Sequence, residues 1–201
     1  MDLTKGKELI ESGWRQILDG LELAYGLDYK NDENFDETPS RNAKALLERC
    51  VGINSHNIIK DDLLNKSFPS EYRGLIIIDP ITAFGLCPHH FENITYNVSV
   101  GYIPKDRCIG LSKFARVVKL YASQPMLQED FTKDLADLFY ETLDPEGVIV
   151  VAAGQHNCMI ARGVKQAGNT VTMSEVRGTF FTDPSLELKF YNLLNLKNQS
   201  R

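Results

Sequence analysis

The sequence predicts an α+β protein in which two N-terminal helices precede strands and helices in the order ββααββ. Residues 94–102 alternate between large apolar and small polar side chains, which is typical of a strand buried on one face. Residues 127–139, after Pro125, carry apolar side chains at helical spacing, and the Gly110-Leu111-Ser112 turn predicts an earlier helix that ends near Ala122. These patterns indicate an antiparallel sheet with a helical pair in its middle.

The composition indicates one globular domain. Of the 201 residues, 43% are hydrophobic and 24% charged. The net charge of −5 excludes a general attraction to nucleic acid, so an anionic ligand requires a local basic cluster. No apolar run reaches the ~18 residues of a membrane helix, and the N terminus does not resemble a signal peptide. Four scattered cysteines favour a reducing compartment, so we expect a cytoplasmic protein without a membrane partner.

The N-terminal segment predicts two helices. Residues 3–25 carry one apolar stripe, and residues 27–37 form an acidic, polar loop. Thr38 and Pro39 are predicted as N-cap and first residue of the second helix. We assign residues 1–52 to a helical extension and residues 53–201 to the main domain, in which residues 53–73 have an irregular pattern.

The main domain then alternates between strand and helix signals. A short buried strand is predicted over residues 74–79, broken by Pro80, with residues 81–86 leading into a cysteine–histidine turn. Ser112 is predicted as the N-cap of the helix that ends near Ala122. Buried strands are predicted from Gly147 to Ala153 and through Val176, before a final helix capped by Asp183.

The cysteine–histidine turn predicts a metal site. Cys87 and His90 are three residues apart, and a remote third thiolate from Cys158 would complete a zinc set with one position open for water. His89 and His156 flank these ligands as acid–base candidates, and residues 156 and 158 are expected on the same side of an extended segment. From spacing alone, a structural zinc, or two buried thiols beside packed histidines, remains an alternative.

Two groups of basic residues are candidates for binding an anion. Lys113 and Arg116 follow the predicted helix start at Ser112, where free amides also favour negative charge. Arg41 and Lys44 lie three apart on the second helix, where a solvated basic edge is the simpler interpretation.

A set of short motifs carries a resemblance to a known family. From Gly74 to the C terminus, and again at residues 38–44, the sequence resembles GTP cyclohydrolase I. The matching motifs, in chain order, are Cys87 with His89-His90, Gly101-Tyr102-Ile103-Pro104, Gly110-Leu111-Ser112-Lys113 with Arg116, Leu127-Gln128-Glu129, and His156 with Cys158 and Ala161-Arg162-Gly163. Their order makes a chance match improbable.

The resemblance implies a role for each matched residue. It places the zinc ligands on Cys87, His90 and Cys158, and the catalytic histidines on His89 and His156. It places guanine recognition on Gln128 and Glu129. The triphosphate-binding groups that it implies are Ser112, Lys113, Arg116 and Arg162, with Arg41 and Lys44 less securely matched.

The same resemblance implies a fold, an assembly and a reaction. The family has the tunnelling fold, in which sheets from several subunits join into a pentameric barrel and two pentamers form a homodecamer with sites between subunits. The implied reaction opens GTP at C8, releases formate and closes the ring again to 7,8-dihydroneopterin triphosphate, a step of pterin biosynthesis. The sequence leaves open whether this product feeds the synthesis of tetrahydrofolate, biopterin or deazapurines.

The chain also departs from the family pattern. Pro88 stands where the family usually has glutamate, and Gln124 and Asp130 replace basic residues around the Gln128-Glu129 pair. The departures put the rate and the substrate preference in question, while all proposed ligands and acid–base residues are present. The sequence as a whole leaves three alternatives open: a non-catalytic relative that binds zinc or nucleotide as an assembly or regulatory subunit, a cyclohydrolase acting on another purine nucleotide, and a sister tunnelling-fold enzyme such as a nitrile reductase or a pterin synthase. The paired histidines argue against a nitrile reductase, which uses a cysteine nucleophile.

Overall fold

A computed structural model describes residues 1–60 and 67–199 of the chain. The chain divides into two compact units, Met1–Val51 and Gly52–Arg201. Residues 61–66 of the stretch predicted to be irregular lie outside the described residues.

The first unit contains two helices, α1 (Leu3–Tyr25) and α2 (Thr38–Glu48), with a 3₁₀ turn at Glu33–Phe35 between them. Asp2 caps α1 by accepting a hydrogen bond from the backbone N–H of Lys5, and Gly26 ends the helix in the left-handed conformation. The expectation that Thr38 is the N-cap of α2 is wrong by one residue. Glu37 holds the capping position, without a side-chain hydrogen bond, and Thr38 is the first residue of the helix.

The second unit is built around a four-stranded antiparallel sheet in the order β2-β3-β5-β6. These strands are β2 (Ile76–Leu86), β3 (Asn93–Ile103), β5 (Gly147–His156) and β6 (Val171–Gly178). A separate two-stranded sheet pairs β1 (Ser67–Pro69) with β4 (Arg107–Ile109). The helices among the described residues of this unit are α3 (His56–Ile58), α4 (Leu111–Ala122), α5 (Gln128–Leu143), α6 (Asn157–Ile160), α7 (Thr179–Thr182) and α8 (Pro184–Gln199). The predicted α+β class with an antiparallel ββααββ sheet is confirmed.

One face of the sheet forms the main core with α4 and α5. The alternating side chains of β3 that the sequence predicted to be buried are all buried, from Ile94 to Tyr102. Aromatic rings connect the sheet with the helices: Tyr96 stacks on Phe131 with centroids 4.6 Å apart, and the centroid of Tyr102 lies 5.1 Å from that of Phe114. This packing fixes α5 above the strands that lead to the cysteines and histidines.

The opposite face carries a smaller apolar cluster. Ile149 of β5 packs with Phe180 of α7 and Phe190 of α8. The N terminus of α8 is capped as predicted, since Asp183 accepts a hydrogen bond from the backbone N–H of Ser185 at 3.0 Å. Gly101 provides the space for this cluster, because a Cβ there would lie 2.8 Å from both Ile149 and Phe190.

Replacing Gly101 with alanine is therefore expected to destabilise the protein. The added methyl group overpacks a filled interface, at a cost of about 1–3 kcal/mol in the free energy of unfolding. Gly13 in α1 offers a contrast, because a Cβ there meets nothing within 4 Å, and Gly13→Ala should be neutral or slightly stabilising. Denaturant unfolding of both variants measures the difference. Equal stability of the two would contradict the packing described for Gly101.

Two local predictions differ from the structure. Pro80 does not break the second strand; β2 continues through a cis Asp79–Pro80 peptide, with the pairing shifted between Ile78 and Ile81. Proline is tolerated there because β2 is an edge strand of the sheet. Ser112 is not the N-cap of α4, because extended Gly110 takes that position and Leu111 begins the helix. The short strands β1 and β4 were not predicted.

No helix among the described residues is both long and apolar enough to cross a membrane.

Candidate metal and catalytic site

The first half of the site is the tight turn between β2 and β3. The Cys87 carbonyl accepts a hydrogen bond from the N–H of Phe91, and the Cys87 N–H donates to the carbonyl of Glu92. Phe91 has a φ of 53°, in the left-handed region, which reverses the chain within a few residues. The turn buries Cys87 and leaves His89 and His90 exposed at its tip.

The second half lies at the end of β5, next to this turn. His156 pairs with Ile94 across β3 and β5, so the sheet register brings the C-terminal end of β5 next to the chain that leaves the turn. Cys158 follows in the short helix α6. The expectation that residues 156 and 158 share one side of an extended segment is therefore wrong. The strand ends at His156, and helical geometry then turns Cys158 toward Cys87.

Cys87, His90 and Cys158 form a cluster of metal-ligating atoms. The two sulfur atoms and one ring nitrogen all lie within 4.8 Å of one another, and Cys87 Sγ is 4.0 Å from His90 Nδ1. In a zinc site with such ligands, the ligand atoms lie about 3.5–3.8 Å apart. All four cysteines of the chain are free thiols. The chemistry and separation of the three donors therefore fit one zinc ion, with small adjustments of the side chains.

The electrostatics of the two thiols also favour a cation. Burial, together with the neighbouring Cys87 thiol, raises the pKa of the Cys158 thiol above its ordinary value. Two thiolates at this separation repel each other, and a divalent cation between them removes that repulsion. The cluster is thus better suited to holding a metal ion than to reacting as a pair of free thiolates.

The two predicted catalytic histidines lie beside the cluster. The Nδ1 atom of His89 is 3.8 Å from Cys87 Sγ. His156 is half-buried, and its Nε2 is 2.8 Å from Oε1 of Gln128. Burial lowers the pKa of His156, although the negative charge of Glu129 partly offsets this. His156 is therefore a neutral imidazole near pH 7.

A cavity of about 230 Å³ joins these groups. Its walls come from the turn after β2, the residues that precede and open α5, and the junction of β5 and α6. The residues that line it are Cys87, Pro88, His89, His90, Ile94, Met126, Leu127, Gln128, Glu129, His156, Cys158 and Met159. All five predicted metal and acid–base residues thus face one concave surface.

Gln128 and Glu129, predicted as a pair, occupy different environments. Gln128 is only 2% exposed, and its amide group is bound to the protein. Glu129 is exposed and lines the cavity from the first turn of α5. The structure therefore leaves the carboxylate available to a ligand but not the amide. The sequence offered no signal for this difference, because the groups that bind Gln128 are in β5 and at the start of β6.

The basic residues are not part of this cavity. Ser112, Lys113 and Arg116 lie in the first turns of α4, and none of the described residues that line the cavity comes from α4. Arg162 follows α6 and is close enough to Cys158 to favour its thiolate. In the first unit, Arg41 forms an ion pair with Glu37, and Lys44 lies 4.0 Å from Glu48.

Comparison with known proteins identifies the family. The model of the GTP cyclohydrolase I family matches residues 10–195. The chain belongs to the GTP cyclohydrolase I family. GTP cyclohydrolase 1 from Clostridium perfringens is 37% identical over 190 residues, covering 94% of this chain and 98% of that protein. The Mycobacterium tuberculosis protein of the same name is 38% identical over 176 residues, with 86% of each chain covered. The prediction of a GTP cyclohydrolase I-type hydrolase is confirmed.

A solved structure of archaeosine synthase QueF-Like in the apo form also resembles part of the chain. It covers 52% of this chain and 93% of its own, with 21% identity and a TM-score of 0.44. A score this low does not bear on the fold, and the sheet order described above supports the assignment to the tunnelling fold.

Proposed function

We propose that this GTP cyclohydrolase I family member opens the imidazole ring of GTP at C8 in a zinc-dependent hydrolysis. Formate is released, and the product closes to 7,8-dihydroneopterin triphosphate. The observation that carries this proposal is the Cys87–His90–Cys158 cluster, which shares one cavity with His89, His156 and Glu129. Three protein ligands leave a position for water, as catalytic zinc sites require.

The ligand set defines what the metal contributes. Cys87, His90 and Cys158 would hold the zinc, which when bound supplies a Lewis acid that makes a water molecule nucleophilic near neutral pH. Cys87 is anchored by the backbone hydrogen bonds of its turn, and Cys158 is held in the short helix α6 that follows β5. Because the three ligands line the cavity, a guanine base bound in this cavity would have its C8 atom near them.

The two histidines supply proton transfer. Hydrolysis at C8 places negative charge on the imidazole nitrogens of guanine, and a nearby acid must protonate N7 before the ring opens. His156 is neutral near pH 7 and half-buried at the cavity wall, so it can take a proton and return it. His89 is exposed at the tip of its turn, where it can exchange protons with solvent.

The exposed carboxylate of Glu129 selects the base. Guanine presents two donors on one edge, N1–H and the 2-amino group, which a single carboxylate can accept together. Adenine has an acceptor at N1 and no 2-amino group, so it would leave the carboxylate facing a lone pair. The position of Glu129 on the cavity wall supports this role.

The triphosphate requires basic groups from outside the cavity. We assign it to Ser112, Lys113 and Arg116 at the start of α4, together with Arg162, and with Arg41 and Lys44 as further candidates. Since α4 of the same chain does not line the cavity among the described residues, the site is best completed by α4 of a neighbouring subunit. The catalytic unit is then the assembly rather than the chain.

The sheet supports such an assembly. Strands β2 and β6 are the edges of the four-stranded sheet, and open edges are satisfied when sheets of neighbouring subunits join. We expect a homodecamer of two pentamers, with light scattering giving a mass near ten times the 22.7 kDa of one chain. An active, monodisperse monomer would contradict this expectation.

The proposed reaction is tested by incubating the purified, zinc-loaded protein with GTP. We expect one formate for each GTP consumed, and a product that becomes fluorescent when oxidised to a pterin. ATP should give neither signal. If zinc-loaded protein of correct mass releases no formate from GTP, the proposed function is wrong.

A further inference from the structure

We propose that Gln128 is a positioning residue: its amide holds His156 in the tautomer that carries hydrogen on Nε2, so Nδ1 is the nitrogen that exchanges protons with the substrate. This inference rests on the proposed function for the chemistry that His156 performs. It replaces the base-reading role that the family resemblance implied for Gln128.

The orientation of the Gln128 amide is fixed by two backbone carbonyls. Its Nε2 donates one hydrogen to the carbonyl of Ala152 and the other to the carbonyl of Val171, each at 2.9 Å. The reversed orientation would place Oε1 against two carbonyl oxygens, an arrangement without any donor. The side-chain oxygen must therefore point toward His156.

The tautomer of His156 follows from this orientation. Oε1 of Gln128 lies 2.8 Å from His156 Nε2, and a carbonyl oxygen can only accept. The hydrogen bond thus exists only when Nε2 carries the hydrogen, and in the neutral ring Nδ1 then holds the lone pair. The buried Gln128 amide cannot adapt to the tautomer of His156 that lacks hydrogen on Nε2. Rotating the amide to offer a donor to His156 would break its two hydrogen bonds to the backbone carbonyls and restore only one.

Burial also removes Gln128 from the reach of a base. The side chain is 2% exposed, and each of its three polar contacts is to the protein. A purine could bind this amide only by displacing it from β5, from Val171 or from His156. Glu129, the next residue, lines the same cavity while exposed.

Gly154 makes this arrangement sterically possible. A Cβ at residue 154 would lie 2.4 Å from Oε1 of Gln128 and 3.0 Å from the ring of Tyr96. Any side chain there would push the amide away from His156. Gly154 therefore contributes to positioning His156 indirectly, because the absence of a side chain at residue 154 leaves room for the Gln128 amide.

The direct test is the ¹⁵N NMR spectrum of the zinc-loaded protein labelled at histidine, recorded as a solid-state spectrum because of the expected size of the assembly. The chain has only four histidines, and a His156→Gln variant assigns the signal. We expect the pair of shifts that marks a protonated Nε2 and a bare Nδ1. The opposite tautomer in the wild-type protein would overturn the proposal, whatever any variant does.

The variant test replaces Gln128 with methionine, which keeps the length of the side chain but removes all three hydrogen bonds. We expect zinc content to be retained, kcat for GTP to fall about 10- to 1000-fold, and KM to change less than about 3-fold. The NMR signature of a single His156 tautomer should be lost. A rise in KM with unchanged kcat would instead show that Gln128 binds the base.

A matched control lies one turn further along α5. Thr132 is also buried, at 1% exposure, and its hydroxyl donates to the backbone carbonyl of Gln128. Thr132→Val removes a buried hydrogen bond on the same helix face without touching His156, so kcat and the tautomer should remain. An equal loss of kcat in both variants would reduce Gln128 to a structural role. If the wild-type protein does not act on GTP, the proposed function fails, but the NMR result still decides the tautomer.

Discussion

Replacing Cys158 with serine is expected to remove both bound zinc and GTP turnover. The serine hydroxyl is not ionised near pH 7 and is a poor zinc ligand, so the site keeps only Cys87 and His90. We expect less than about one tenth of the wild-type zinc content, which corresponds to the loss of at least ~1.7 kcal/mol in binding (about a 19-fold rise in Kd) when the wild-type site is half-filled. Metal analysis of purified protein and formate release from GTP give the two values.

Two further variants separate the metal from the acid–base chemistry. Cys108→Ser is the matched control, because Cys108 is a free, partly buried thiol in β4 outside the metal cluster. It should retain zinc and turnover. His156→Ala should retain zinc and lose turnover, since His156 is not one of the three ligands. Full activity after exhaustive chelation would show that the reaction does not depend on the metal.

Replacing Glu129 with alanine is expected to lower kcat/KM for GTP by about 10-fold to several thousand-fold, or roughly 1.5–5 kcal/mol of transition-state stabilisation. The physical reason is that a site built around a hydrogen-bonded base edge leaves buried donors of guanine unpaired when the carboxylate is removed. Steady-state kinetics with GTP measure the effect. Folding and zinc content should remain almost unchanged, because Glu129 is exposed on the helix surface.

The adjacent residue provides the control. Asp130 is also exposed and also lies in the first turn of α5, so it makes the same favourable interaction with the helix dipole. It does not line the cavity that contains the histidines. Asp130→Ala should therefore reproduce any effect of charge at the helix start, worth ~0.3–1 kcal/mol, without the loss of kcat/KM. If both variants lose stability while activity per folded molecule holds, Glu129 is only a helix-start residue.

Helix starts show where local sequence stops being sufficient. The pattern predicted the existence of α2 and α4, but it placed their N-caps on Thr38 and Ser112 instead of Glu37 and Gly110. Serine and threonine are preferred caps in general, yet neither observed cap residue makes a side-chain capping hydrogen bond, so the start of each helix is set by the backbone rather than by the capping preference of the residue. Pro80 is a similar case, since proline disfavours a central strand but is tolerated in β2 at the edge of the sheet.

The sequence by itself determined the residue types of the candidate site and the strands that frame it. Alternation in residues 94–102 defines one buried face of β3, and the spacing of Cys87 and His90 allows one turn to present both to a metal. The tertiary structure alone decided what surrounds those residues. The Gln128 amide donates to the carbonyls of Ala152 and Val171, which are 24 and 43 residues further along the chain. Cys158 lies close to Cys87 because β5 ends at His156 and the chain then turns into the helix α6. Such contacts depend on sheet register and on the packing of α5, which the local pattern of side chains does not encode.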